Sequence, residues 1–158
     1  MDKEQIIDAV RNHLDDNDLR YEYHAENQTL TLGFSLDSKL RSVRMAWDFL
    51  DKGYILYGIS PINACPEGLG EVLRYAAMIN YGLIPGNIEI DVRDGEIRSK
   101  TWVYLADAEK LSDDTIHSSI GFTYAMFARF GNGFAALAMG FSDADTEYKK
   151  AMESASGD

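Results

Sequence analysis

Catalysis, ligation or proton transfer needs side chains of the right type at the right spacing, and this chain of 158 residues offers few candidates. His13, His24 and His117 are widely separated, and no two stand at the i,i+4 spacing that sets imidazoles side by side on a helix to hold zinc. They are expected to be surface histidines, so no metal site is assigned. Cys65 is the only cysteine, which excludes an intramolecular disulfide and a multi-cysteine zinc site. No histidine lies near it in sequence to serve as base, and it reads as a semi-buried structural thiol. Gly131-Asn132-Gly133 has the glycines of a phosphate loop, but no strand precedes it and no Lys-Ser/Thr follows. A helix break is the better reading. Asp113-Asp114 suits a helix N-terminus better than acid–base chemistry. With no nucleophile beside a base and no metal beside its ligands, neither an enzyme nor a cofactor is expected.

Composition narrows the class further. Fifteen basic against 26 acidic residues give a net charge of −11, which repels phosphate backbones; no local basic cluster offsets it, so nucleic-acid binding is disfavoured. Hydrophobic residues make up 46% of the chain, enough for a core, and the length fits one domain. The start MDKEQIIDAV lacks an apolar signal region, and the lone cysteine fits a reducing compartment, so a cytoplasmic protein is expected. Ile120 to Phe141 is long enough to span a bilayer, but Arg129 lies near its middle, where a cation costs about 2.5–3.5 kcal/mol. It reads as a buried helix, and no membrane contact is assigned.

Periodicity then supplies the elements. Ile6, Ile7, Val10 and Leu14 form one helical stripe over residues 3–14. Alternation over 19–25 and 30–36 predicts a hairpin. A two-residue turn at Asn27-Gln28 would set Ala25 opposite Leu30 and Tyr23 opposite Leu32. A third strand spans 40–50 with Val43, Met45, Trp47 and Phe49 on one face, and a fourth spans 54–59. Leu69, Val72, Leu73, Ala76, Ile79 and Leu83 give a central helix its buried stripe, with Tyr75 off it, and Gly82 and Pro85-Gly86 end it. The Asp94-Gly95 turn predicts a second hairpin, with Val92 facing Ile97, Ile90 facing Ser99 and Ile88 facing Thr101. Its outer face pairs Asp91 with Arg98 and Glu89 with Lys100, and sends Trp102 and Tyr104 outward. A last helix starts at Ser112 or Asp113 and carries Ile116, Ile120, Tyr124, Phe127 and Phe130. The order α-β-β-β-β-α-β-β-α describes an α+β fold, a mostly antiparallel sheet with helices packed on one face. Residues 1–141 form a single domain. The acidic tail 142–158 is expected to fray, with at most a brief helix at 145–152.

The run Asn80, Leu83, Gly86, Ile88, Ile90, Asp91, Asp94-Gly95 and Glu96-Ile97, followed by a strand and a long terminal helix, resembles the YbjN family. The resemblance implies a fold like that of type III secretion chaperones and a cytoplasmic, often dimeric, non-enzymatic binding or regulatory domain of unassigned role.

Two surfaces are singled out. The terminal helix is apolar around much of its circumference, and the small residues Gly121, Ala125, Ala128, Ala136 and Gly140 would let a second helix approach, which predicts a homodimer contact. Trp102 and Tyr104 on the outer face of the sheet, with Tyr57 nearby, form a candidate patch for a protein partner. The reading is a non-enzymatic protein-binding domain, chaperone-like or a regulatory adaptor. The alternative is a small-molecule sensor with an apolar pocket between the central helix and the sheet.

Overall fold

The computed structural model describes residues 1–105 and 108–154. The elements run α1 (Lys3–Asp16), β1 (Glu22–His24), β2 (Thr29–Ser35), β3 (Ser42–Leu50), β4 (Gly53–Ile59), α2 (Leu69–Gly82), β5 (Asn87–Ile90), β6 (Ile97–Tyr104), α3 (Asp113–Ala138) and α4 (Ala144–Ser154). The strands form one antiparallel sheet in the order β1-β2-β3-β4-β6-β5. Alternation decides its inner face. Val43, Met45, Trp47 and Phe49 of β3 are buried together with Leu30 and Leu32 of β2, Tyr54 and Leu56 of β4, and Ile97 of β6. Each such apolar side chain contributes roughly 1.5–3 kcal/mol when removed from water.

The helices supply the other half of the core. α1 starts on a capping box in which the Asp2 carboxylate accepts from the Gln5 amide at 2.9 Å while Gln5 Oε1 accepts from the Asp2 amide at 3.0 Å. Its stripe of Ile6, Ile7, Val10 and Leu14 is fully buried, as the spacing predicts. Ser112 caps α3 by accepting from the Thr115 amide. Asn80, in the last turn of α2, acts as a surrogate strand for the sheet edge. Its amide donates to the Ile88 carbonyl at 3.0 Å and its Oδ1 accepts from the Ile88 amide at 2.7 Å.

Several expectations need correction. Both hairpins are offset by two residues from the expected register. Tyr23 pairs with Leu30 across a four-residue turn at 25–28, in which Gln28 takes the left-handed conformation at φ 52°. Ile90 pairs with Ile97 and Ile88 with Ser99, because the turn is wider than Asp94-Gly95. Gly95, at φ 77°, donates to the Asp91 carbonyl at 2.7 Å, and Asp91 donates to Glu96 at 3.0 Å. Val92 is therefore exposed in the loop, and Arg98 pairs with Glu89 instead of Asp91.

On α2 the buried stripe is rotated. Tyr75 is fully buried and Leu73 is exposed, because Tyr75 is met edge-on by Phe130 and Phe134 of α3 and by Tyr148 of α4. Gly131-Asn132-Gly133 does not break α3, which runs continuously from Asp113 to Ala138. Its glycines are sites of close approach. A Cβ at Gly131 would lie 2.9 Å from Ser38 Oγ, and one at Gly133 would overlap the Tyr75 ring. The tail is not frayed over its described part. α4 covers residues 144–154, capped by Asp143, which accepts from the Thr146 amide at 2.9 Å. Ala144 and Ala151 are buried against the core, and Asp145 pairs with Arg74 at 2.7 Å. Positions 155–158 of the expected tail lie outside the described residues. On the side of α2 where the alternative reading, a sensor, would place a pocket between helix and sheet, Val72, Tyr75, Ala76 and Ile79 are buried in the core.

Candidate protein-binding surface

β6 positions this surface by alternation. Ile97, Ser99 and Thr101 point into the core, so Arg98, Lys100, Trp102 and Tyr104 point to the opposite face. Trp102 is 47% exposed and Tyr104 59%, and their rings stack with centroids 5.8 Å apart and planes 27° from parallel. Across β4, Ile55 stands opposite Trp102, Tyr57 opposite Lys100 and Gly53 opposite Tyr104. Gly53 presents no side chain, so the Tyr104 ring has no cross-strand neighbour there. Tyr57, half-buried, receives the Arg98 guanidinium 4.6 Å from its ring centroid. The structure thus places Trp102, Tyr104 and Tyr57 on one face, as the alternation predicts. Ile55 was not singled out, although the same alternation marks it as their neighbour.

Ion pairs hold one flank of the patch in place. Arg98 reaches Glu89 at 2.8 Å and Glu96 at 3.7 Å, and Lys100 also pairs with Glu89. Partial burial alone would raise the Glu89 carboxyl, but hydrogen bonds from Lys100 and Arg98 outweigh it and hold the group below its ordinary value. Such a surface can offer aromatic faces, a guanidinium already stacked on a ring and a charged rim.

The stripe expected at a dimer contact is only partly assembled. Gly121 and Ala125 are exposed on α3 beside Phe122, and Ala128 and Ala136 are half-covered. Gly140 lies beyond the helix at φ 70° in a Schellman cap. Its amide donates to the Leu137 carbonyl and that of Phe141 to the Ala136 carbonyl, both at 2.9 Å. Ala125 lines an apolar groove of about 270 Å³ between α3 and the segment Leu83–Pro85, in which Ile84 is almost wholly exposed.

One histidine departs from its expected surface position. His13 is 5% exposed, because the C-terminal part of α1 runs under the start of α3. Its Nδ1 lies 3.1 Å from Asp113 Oδ1, and the His117 ring meets it edge-on at 6.2 Å. Among the described residues no group of three or more histidines, cysteines or acids could hold a metal ion. Cys65 is half-buried, its amide donating to the Ala138 carbonyl at 2.8 Å. Among the described residues no helix is long and apolar enough to cross a membrane.

No family profile and no curated protein matches the chain by sequence. Among solved structures, the fold is similar to that of YbjN from E. coli, for which a role as a transcription regulator has been put forward. The match covers 82% of this chain and 91% of that one, with a TM-score of 0.64 and 13% sequence identity. A likeness at that identity is one of architecture, and the chain has a YbjN-like fold.

Proposed function

We propose that this chain is a non-enzymatic protein-binding domain, chaperone-like or a regulatory adaptor, whose partner docks on the outer face of the sheet. The observation that carries this reading is the exposed Trp102–Tyr104 stack on a sheet face opposite the buried core. Large aromatics and arginine dominate binding energy at protein interfaces, and Arg98 and Tyr57 adjoin the stack on the same face. The regulatory role put forward for YbjN is compatible with such a domain. The protein acts in the cytoplasm and as a homodimer, with α3 providing the dimer contact.

The test is affinity capture of the tagged chain from its own host, read by quantitative mass spectrometry. Wild type retains one protein at near-stoichiometric level, and Trp102→Ala with Tyr104→Ala loses it while melting as wild type does. Unchanged capture by the double variant would refute the assignment of this face.

A further inference from the structure

We propose a second site, separate from the Trp102–Tyr104 patch, that binds a phosphomonoester on the outer face of β2 and β3. An open concavity of about 600 Å³ lies there, lined by Arg20, Thr31, Gly33, Ser35, Ser42 and Arg44. Gly33 stands directly opposite Arg44 and Ser35 opposite Ser42. Arg20, in the segment that leads into β1, lines the same hollow from the β1 side of β2. The two arginines therefore bracket the one residue without a side chain. Both line one hollow, so an anion seated above Gly33 can be met by both guanidinium groups.

Three features favour an anion with several oxygens. First, four of the eight arginines of this acidic chain, Arg11, Arg74, Arg93 and Arg98, each meet a carboxylate. Arg20 and Arg44 make no hydrogen bond or ion pair with the described residues. Second, the hydroxyls of Thr31, Ser35 and Ser42 border the same hollow, and they too have no partner among the described residues. Third, the position of a Cβ on Gly33 has nothing within 4 Å, so the floor is open for a tetrahedral group to approach the backbone. Two planar guanidinium forks and hydroxyl donors match the geometry of a phosphate dianion. Glu22 is the acid lining the hollow, at its rim on β1. A net charge of −11 makes general attraction of anions unfavourable, so any binding must arise from this local cluster.

The experiment titrates the full ¹⁵N-labelled chain at constant ionic strength with inorganic phosphate, phosphoserine and a phosphoserine peptide, with sodium chloride as control. Saturable shifts confined to the amides of 31–35 and 42–44 are expected. Arg20→Ala and Arg44→Ala should each weaken binding by about 10-fold or more, the usual loss for a charge-assisted hydrogen bond. Gly33→Val keeps both arginines and suits a strand, but fills the floor, and it should abolish the shifts while leaving the rest of the spectrum unchanged. A phosphopeptide binding at least about tenfold tighter than inorganic phosphate identifies a modified protein as the source. Equal affinities identify a small metabolite, and both outcomes support the site. No saturable response, shifts reproduced by chloride, undiminished binding to Gly33→Val, or preferential binding of duplex DNA through the same arginines would each overturn it.

Discussion

Replacing Gly133 by alanine separates two physical readings of one glycine by the sign of the effect. If the Gly-Asn-Gly run were a helix break, alanine would favour the helical backbone and raise stability by up to about 1 kcal/mol. In the structure, a Cβ at Gly133 overlaps the Tyr75 hydroxyl and stands 2.6 Å from Cζ and 2.9 Å from Cε1. Tyr75 cannot easily retreat. Its ring is fully buried and met edge-on by Phe130, Phe134 and Tyr148 at centroid distances of 6.1, 5.0 and 6.5 Å. Overpacking of this kind costs about 1–3 kcal/mol. With the upper value taken for a ring held on three sides, and about 1 kcal/mol recovered from helix propensity, the net loss is about 2 kcal/mol. In a domain of this size that lowers Tm by roughly 4–8 °C. Urea unfolding and calorimetry on Gly133→Ala measure it. Gly121→Ala, where a Cβ meets nothing within 4 Å, is the control and should gain up to about 1 kcal/mol. Adding Tyr75→Phe, which removes the overlapped hydroxyl, should recover part of the loss. A Gly133→Ala protein as stable as Gly121→Ala would refute the close-packing argument.

Asn80→Ala should cost about 2 kcal/mol by leaving both backbone groups of the buried Ile88 unpaired, and hydrogen exchange at the Ile88 amide should accelerate more than elsewhere. The Arg93 side chain holds the Asp91 carboxyl at about 2, below its ordinary 3.8. A depressed folded-state value stabilises the fold above the unfolded pKa and is lost as pH falls through the folded one. Thermal melts of wild type and Asp91→Asn should therefore differ at pH 7 and converge as pH drops from about 4 to 2; a constant gap would show that Asp91 does not act through its charge. Ala125→Arg, on the exposed side of α3, should convert the proposed homodimer to a monomer in light scattering at micromolar concentration. A wild-type monomer there would remove the dimer.

The order of the elements, the buried faces of the strands and the outward course of Trp102 and Tyr104 are written in local periodicity. A strand repeats every two residues and a helix every 3.6, so the sequence by itself settles which side chains share a face. It does not settle how far one strand slides along its neighbour in steps of two. Both hairpins sit one such step from the simplest turn: the residues that stay in the strands keep their expected faces, while Ala25 and Val92 leave the ladder and are exposed in the turns. Gln28 and Gly95, in the left-handed region, and the Asp91 carbonyl that closes the second loop determine the offset. Packing between elements distant in the chain decided the rest. Tyr75 turns inward because glycine at 133 leaves room for its ring on another helix. His13 is buried because α1 passes beneath α3. Residues 144–154, whose Ala144, Tyr148, Ala151 and Met152 fall at helical spacing, are held against the core where Arg74, Glu71 and the Tyr75 ring receive them. Such contacts join residues roughly sixty to a hundred positions apart, and no window of local sequence contains both partners.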